Sequence, residues 1–95
     1  MLFTLDVHMQ NFGDAGGYVA WIEEPKNFKM VVQASTPENA AKELITSLKV
    51  TLSYRLGIDI NKIEHKEVAN EEELQQELTN ALKKDGRKEL KFAFS

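Results

Sequence analysis

The fold is decided by residues 35–57, which read STPENAAKELITSLKVTLSYRLG. Thr36 is a good N-cap because its hydroxyl can accept a backbone hydrogen bond, and Pro37 suits the first helical position. Gly57 is a typical C-terminal stop. Between them, apolar residues recur every three or four positions: Ala41, Leu44, Ile45, Leu48, Leu52 and Leu56. The pattern predicts one amphipathic helix of about 20 residues, roughly 30 Å long.

Three strands are predicted before this helix. Residues 2–9 alternate between apolar and polar side chains, which is typical of a strand with one buried face. Residues 18–23 and 28–34 are rich in aromatic and β-branched residues, which favour strands. A glycine-containing loop at 10–17 and a turn at 24–27 connect them. Because these connections are short, an antiparallel meander is the simplest arrangement.

The rest of the chain predicts a second helix and a closing strand. Residues 62–68 are interpreted as a short strand, although their apolar residues have no clean period. Asn70 and Glu73 occupy the cap and capping-box positions of a helix that Asp85 and Gly86 close. Its apolar stripe comprises Leu74, Leu78, Ala81 and Leu82. A final strand is indicated by the alternating Leu90, Phe92 and Phe94.

The element order is therefore β-β-β-α-(β)-α-β. This order predicts an α+β fold with a largely antiparallel sheet of three or four strands and both helices packed on one face. The 95 residues fit a single domain covering 1–95.

Composition excludes several classes of protein. The chain has no cysteine, so neither a disulfide framework nor a zinc ribbon is possible, and a cytoplasmic location is expected. The N-terminus has no features of a signal peptide, and no stretch approaches the ~20 apolar residues of a membrane helix. The formal net charge of −3 argues against nucleic acid as the main partner, because such binders usually carry basic patches.

The first half of the chain resembles a known family. The relevant segments are Phe3-Thr4-Leu5-Asp6-Val7, Gly16-Gly17-Tyr18-Val19-Ala20-Trp21-Ile22 and Ser35-Thr36-Pro37-Glu38-Asn39-Ala40. Over residues 2–56 the chain resembles the N-terminal domain of HicB-type antitoxins, which has a glycine-tyrosine strand and a Thr-Pro-Glu helix start. The resemblance implies a partial ribonuclease-H fold and, as partner, a small basic toxin-like protein.

Two departures from that family bear on function. Residues 23–28 lack the Pro-Gly-Cys-like element that HicB-like sequences usually carry. Residues 70–95 predict a helix and a strand, where the family commonly has a DNA-binding segment. The resemblance therefore implies an antitoxin-like interaction domain without operator binding.

Catalytic chemistry has few candidates. Asp6 and His8 share one face of the first strand, and ribonuclease-H enzymes carry an aspartate on their first strand. Two-metal chemistry needs several convergent carboxylates, and the first long helix offers only Glu38 and Glu43. We expect no catalytic site, metal or cofactor, and a degenerate nuclease based on Asp6 is the third hypothesis.

A basic cluster supports the second hypothesis. It comprises Lys83, Lys84, Arg87, Lys88 and Lys91. One interpretation is a nucleic-acid-binding patch. The other is compensation of a helix dipole followed by a solvated strand face. The glutamates at 64, 67, 71, 72, 73 and 77 form an acidic counterpart that suits a basic partner or an exposed helix start.

The leading hypothesis rests on the second strand. Tyr18 and Trp21 fall on opposite faces because side chains alternate along a strand, so one of them must lie on the open side of the sheet. Val19 and Val31 are predicted to share a face with Trp21. An apolar patch there indicates dimerisation or a protein partner. We therefore expect a non-enzymatic protein-interaction module that binds through Trp21, Val19 and Val31.

Overall fold

A computed structural model describes residues 3–23, 26–57, 63–64, 71–84 and 86–94. The strands are β1 (Phe3–Asn11), β2 (Tyr18–Ile22), β3 (Met30–Ala34), β4 (Ile63–Glu64) and β5 (Gly86–Phe94). The helices are α1 (Gly13–Gly16), α2 (Pro37–Thr51) and α3 (Glu71–Lys83). A 3-10 turn at Lys26–Phe28 precedes β3, and a π-helical turn at Leu52–Leu56 extends α2. The predicted α+β fold is confirmed.

The strands form one antiparallel sheet in the order β3-β2-β1-β5-β4. The predicted meander of β1, β2 and β3 is confirmed. The closing strand β5 pairs with the whole of β1, from Phe3 opposite Phe94 to Asn11 opposite Gly86. The two residues of β4 pair with the end of β5. The sheet thus has five strands, whereas the sequence pattern predicts three or four.

The start of α2 has the predicted geometry. The Thr36 hydroxyl accepts a hydrogen bond from the Asn39 backbone N–H at 3.2 Å, and Pro37 occupies the first turn. Gly57 has a left-handed φ of 65°, which favours glycine and ends the helical segment. The Thr36 cap at the start of α2 contributes about 1 kcal/mol. Local sequence therefore determines both ends of the longest helix.

The core lies between the sheet and the two long helices. Val7 and Met9 of β1 and Ala20 and Ile22 of β2 are buried beneath them. The helices contribute the buried residues Leu44, Leu48, Leu52, Leu74, Leu78 and Leu82. Complete burial of each leucine contributes about 1.5–3 kcal/mol before entropy is subtracted. In the described part of the chain, no helix combines the length and apolar character that a membrane crossing requires.

Some predicted boundaries need correction. Within the predicted loop at 10–17, β1 continues to Asn11 and the short helix α1 follows. The third strand begins at Met30, because Phe28 belongs to a 3-10 turn that a hydrogen bond from Lys29 N–H to Lys26 C=O closes. Phe28 nevertheless joins the core.

Several predicted features coincide only in part with the described residues. Of the predicted strand at 62–68, Ile63 and Glu64 form β4, and the other positions lie outside the described residues. The predicted cap Asn70 and the turn residue Asp85 also lie outside them. Gly86, predicted to close the second helix, begins β5.

One glycine is required by a close approach between strands. Gly17 has a φ of 76°, and a Cβ at this position would lie 2.7 Å from the Ala34 carbonyl oxygen. No other residue fits without moving the end of β3. The glycine before Tyr18 therefore lets the β1–β2 connection lie against the end of β3.

Truncation of a core leucine should destabilise the fold strongly. Leu48→Ala removes a side chain that is 1% exposed, so we expect a loss of about 2–5 kcal/mol in the free energy of unfolding. Val50→Ala, two residues away and 53% exposed, should change it by less than about 0.5 kcal/mol. Urea denaturation followed by circular dichroism measures both. Equal losses in the two variants would contradict the described packing of α2.

Candidate protein-interaction face

The two faces of β2 differ in what covers them. Ala20 and Ile22 are buried beneath the helices, and Tyr18 packs against the same core. Val19 and Trp21 alternate with these residues and therefore lie on the side of the sheet opposite the helices. The prediction that Tyr18 and Trp21 face opposite ways is confirmed, with Tyr18 on the core side.

Trp21 is the centre of this outer side. In the strand register it lies between His8 of β1 and Val31 of β3. Its indole ring stacks on the His8 imidazole with a centroid separation of 5.4 Å and an interplanar angle of 16°. The indole N–H donates a hydrogen bond to Glu23 Oε1 at 3.3 Å. Trp21 is thus half-buried and held in one orientation by its neighbours.

Val31 is the most exposed part of the same surface. Its side chain is 70% exposed, although it lies directly opposite Trp21 on the neighbouring strand. Val19 is half-buried beside them. We call the surface formed by Val19, Trp21, Val31 and His8 the open face. A fixed tryptophan next to exposed aliphatic surface has the composition of an interface hot spot, where aromatic residues dominate the binding energy.

Asp6 and His8, the two catalytic candidates, lie on the same face of β1. His8 stacks on Trp21, while Asp6 Oδ1 is buried and has no hydrogen-bond partner within the described residues. Lys91 occupies the register position opposite Asp6. In the described ranges, no three histidine, aspartate or glutamate residues come together as metal ligands would.

The five residues of the basic cluster belong to two elements. Lys83 and Lys84 lie at the end of α3, and the other three lie on β5. In the register, Arg87, Lys88 and Lys91 are opposite Gln10, Met9 and Asp6 of β1.

The two lysines at the end of α3 are both exposed. The Lys83 ammonium lies 3.5 Å from Glu38 Oε1, which links the end of α3 to the start of α2. Lys84 follows the last turn, and its carbonyl oxygen accepts a hydrogen bond from the Asn11 side chain at 3.5 Å. Lys83 also lies in the last helical turn, where a cation favours the negative end of the dipole. These contacts are those of a helix terminus.

Of the six predicted acidic residues, the glutamates at 71, 72, 73 and 77 lie on α3, Glu64 lies in β4, and Glu67 is outside the described residues. Glu71, Glu72 and Glu73 form the first turn of α3, and Glu71 pairs with Lys49 of α2 at 3.2 Å. Because α3 packs on the core side of the sheet, these carboxylates and the open face lie on opposite sides of the domain. One compact partner cannot contact both directly.

Three exposed apolar residues are not predicted by the sequence pattern. Tyr54 is 86% exposed in the turn after α2, and Val50 and Phe12 are each 53% exposed. Tyr54 and Val50 fall between positions of the predicted apolar stripe, and this offset is the signal that could have identified them. Phe12 lies inside the predicted loop, where no period indicates burial.

Comparison with known proteins adds no assignment. No family model, no curated protein and no solved structure matches the chain. The resemblance of residues 2–56 to HicB-type antitoxins therefore stays a prediction.

Removing the His8 ring should make Trp21 more accessible. The chain contains a single tryptophan, so fluorescence excited at wavelengths that tyrosine does not absorb reports on Trp21 alone. We expect His8→Ala to raise the acrylamide quenching constant, because the stacked imidazole shields one face of the indole. Val50→Ala on α2 should leave it unchanged. Equal quenching in the wild type and His8→Ala would show that the stack does not shield Trp21.

Proposed function

We propose that this domain is a non-enzymatic protein-interaction module that binds its partner through the open face. The observation that carries the proposal is the 70% exposure of Val31 directly beside Trp21. A valine so exposed gains nothing from the fold of the single chain. Covering it and the indole with a partner would remove apolar surface from water at roughly 25 cal/mol per Å².

Trp21 supports the proposal through its fixed orientation. The stack on His8 and the hydrogen bond to Glu23 already restrict the indole before any partner binds. Binding then costs little side-chain entropy, because no rotamer has to be frozen. The restrained indole suits the role of anchor, while Val19 and Val31 supply the surrounding apolar contact.

The proposed module is similar to a HicB-type antitoxin domain without its DNA-binding segment. The glycine-tyrosine start of β2 and the Thr36-Pro37-Glu38 start of α2 support this similarity. The corresponding partner would be a small basic toxin-like protein in the cytoplasm. The net charge of −3 would attract such a partner, with the carboxylates of α3 acting at long range rather than by contact. Self-association through the open face is the homodimeric form of the same function.

The proposal predicts loss of partner binding when the open face is altered. The tagged domain is purified from nuclease-treated native lysate as wild type, Trp21→Ala and Val31→Glu. We expect a stoichiometric small basic protein with the wild type, and its Kd to rise at least about tenfold in both variants, because tryptophan hot spots carry 2 kcal/mol or more. Gln76→Glu adds the same charge as Val31→Glu at an exposed position of α3 and should retain the partner.

Each variant must be shown to be folded before its partner binding is interpreted. Circular dichroism and thermal unfolding establish that each variant remains folded. Folded Trp21→Ala and Val31→Glu variants that retain the partner with unchanged affinity would refute the open face as the binding surface. A wild type that is monomeric by sedimentation and recovers no protein would refute the interaction module. An eluate rich in nucleic acid, obtained without nuclease and lost in Lys83→Glu/Lys84→Glu, would favour the basic-cluster hypothesis instead.

A further inference from the structure

Within the described residues, the outer edge of β3 has backbone groups that no neighbouring strand pairs with. Phe12 N–H donates to Gly17 C=O at 2.9 Å, one position beyond the Asn11–Tyr18 end of the β1–β2 register, and this bond indicates the phase of the ladder. Antiparallel ladders alternate hydrogen-bonded and non-hydrogen-bonded pairs, so Val19 and Trp21 direct their backbone groups toward β1. Tyr18, Ala20 and Ile22 consequently direct their backbone N–H and C=O groups toward β3.

The same alternation determines which groups of β3 point outward. Ala34, Val32 and Met30 lie opposite these three residues of β2, so their backbone groups are paired with it. Val31 and Gln33 direct their N–H and C=O groups away from the sheet. Within the described residues no other strand pairs with this side of β3. The edge thus offers two donors and two acceptors.

A groove runs along this edge between β3 and α2. One part has a volume of about 450 Å³ and is lined by Met30, Val50 and Thr51 among others. A second part of about 370 Å³ is lined by Val32 and Lys42. Thr46 and Ser47 of α2 border both parts, so the two parts are neighbours along α2.

The two parts of the groove match the repeat of an extended chain. Met30 and Val32 are two residues apart on one strand, a separation of about 6.6–6.8 Å along its axis. A strand added to β3 would direct every second side chain into the groove, once beside Met30 and once beside Val32. Those side chains must be apolar or small to cover the two residues.

The charge of the groove determines which extended segments it can favour. Its lining includes Lys26, Lys29 and Lys42, against the single carboxylate of Glu43. Three positive charges and one negative charge give a local formal charge of +2, whereas the whole chain carries −3. The groove therefore suits a segment that carries carboxylates.

We propose that the β3 edge and α2 form a strand-addition site for an extended acidic segment of a partner protein, with apolar residues at alternate positions. The groove side of this site is distinct from the open face, because Met30 and Val32 lie on the helix side of β3 and the Val31 side chain on the other, while the Val31 backbone belongs to the edge. A second copy of the chain fits less well. Symmetric pairing of two β3 edges would bring the same three lysines of each copy toward one another.

The probe is a displayed library of random nonapeptides, and selected sequences are then synthesised with a fluorescent label. We expect selected peptides to contain acidic residues and apolar residues at alternating positions, with affinities measured by anisotropy that fall as salt rises. Every second amide N–H of a bound peptide points toward β3. N-methylation of those amides should abolish binding, whereas N-methylation of the amides between them should not. This difference between the two sets of amides is specific to backbone pairing.

Two pairs of protein variants locate the site. Gln33→Pro removes an outward N–H without touching the ladder to β2, since proline is tolerated on that side of an edge strand. It should weaken peptide binding about tenfold, whereas Gln33→Ala keeps the N–H and should change it less than twofold. Lys42→Glu should weaken binding, while Lys84→Glu, which makes the same charge change after α3, should not. Trp21→Ala should leave peptide affinity unchanged, which separates this site from the proposed function.

Several results would overturn the proposal. They are a library that yields no binder, binders without acidic residues, and peptides that bind equally whichever set of amides is N-methylated. Unchanged affinity in Lys42→Glu would also overturn it and does not depend on the folding of Gln33→Pro. A concentration-dependent dimer by sedimentation that Gln33→Pro dissociates and no peptide displaces would assign the edge to a second copy.

Discussion

Burial of one leucine stripe against two strands is the constraint on which the rest of the domain depends. Leu44, Leu48 and Leu52 are fully covered because the inward residues of β2 and β3 lie beneath α2 in one core cluster. This contact places α2 across β2 and β3, and α3 completes the layer beside it over β1. With only two long helices in the described chain, both on the same side, the single helix layer leaves the other face of the sheet without a helical cover.

Both proposed surfaces are consequences of that arrangement. Val31 is exposed because the helix layer lies on the opposite side of its strand. The groove exists because α2 packs beside β3 while the sheet ends at that strand. One surface offers apolar side chains around a restrained indole, and the other offers backbone groups beside lysines. They therefore suit different partners, or different parts of one partner, and single substitutions can separate them.

Much of the fold follows from local sequence, and so does the placement of Trp21 on the face of the sheet opposite Tyr18. The cap at Thr36 and the stop at Gly57 are local signals, and alternation alone divides Tyr18 from Trp21. The interior place of β5, between β1 and β4, follows from pairing across the length of the chain, which no local pattern contains. The groove likewise depends on how α2 lies against β3. The basic cluster spans the end of α3 and the strand β5, a division between two elements that consecutive residues do not reveal.

Solvent accessibility of the valine methyl groups tests the uncovered sheet face most directly. The domain is labelled at its valines and kept monomeric, and a soluble gadolinium chelate is titrated while methyl relaxation is recorded by NMR. Val31 should relax faster than Val19, while Val7, which is fully buried, should be unaffected. Protection of Val31 equal to that of Val7 in the monomer would contradict the account, since another part of the chain would then cover the open face.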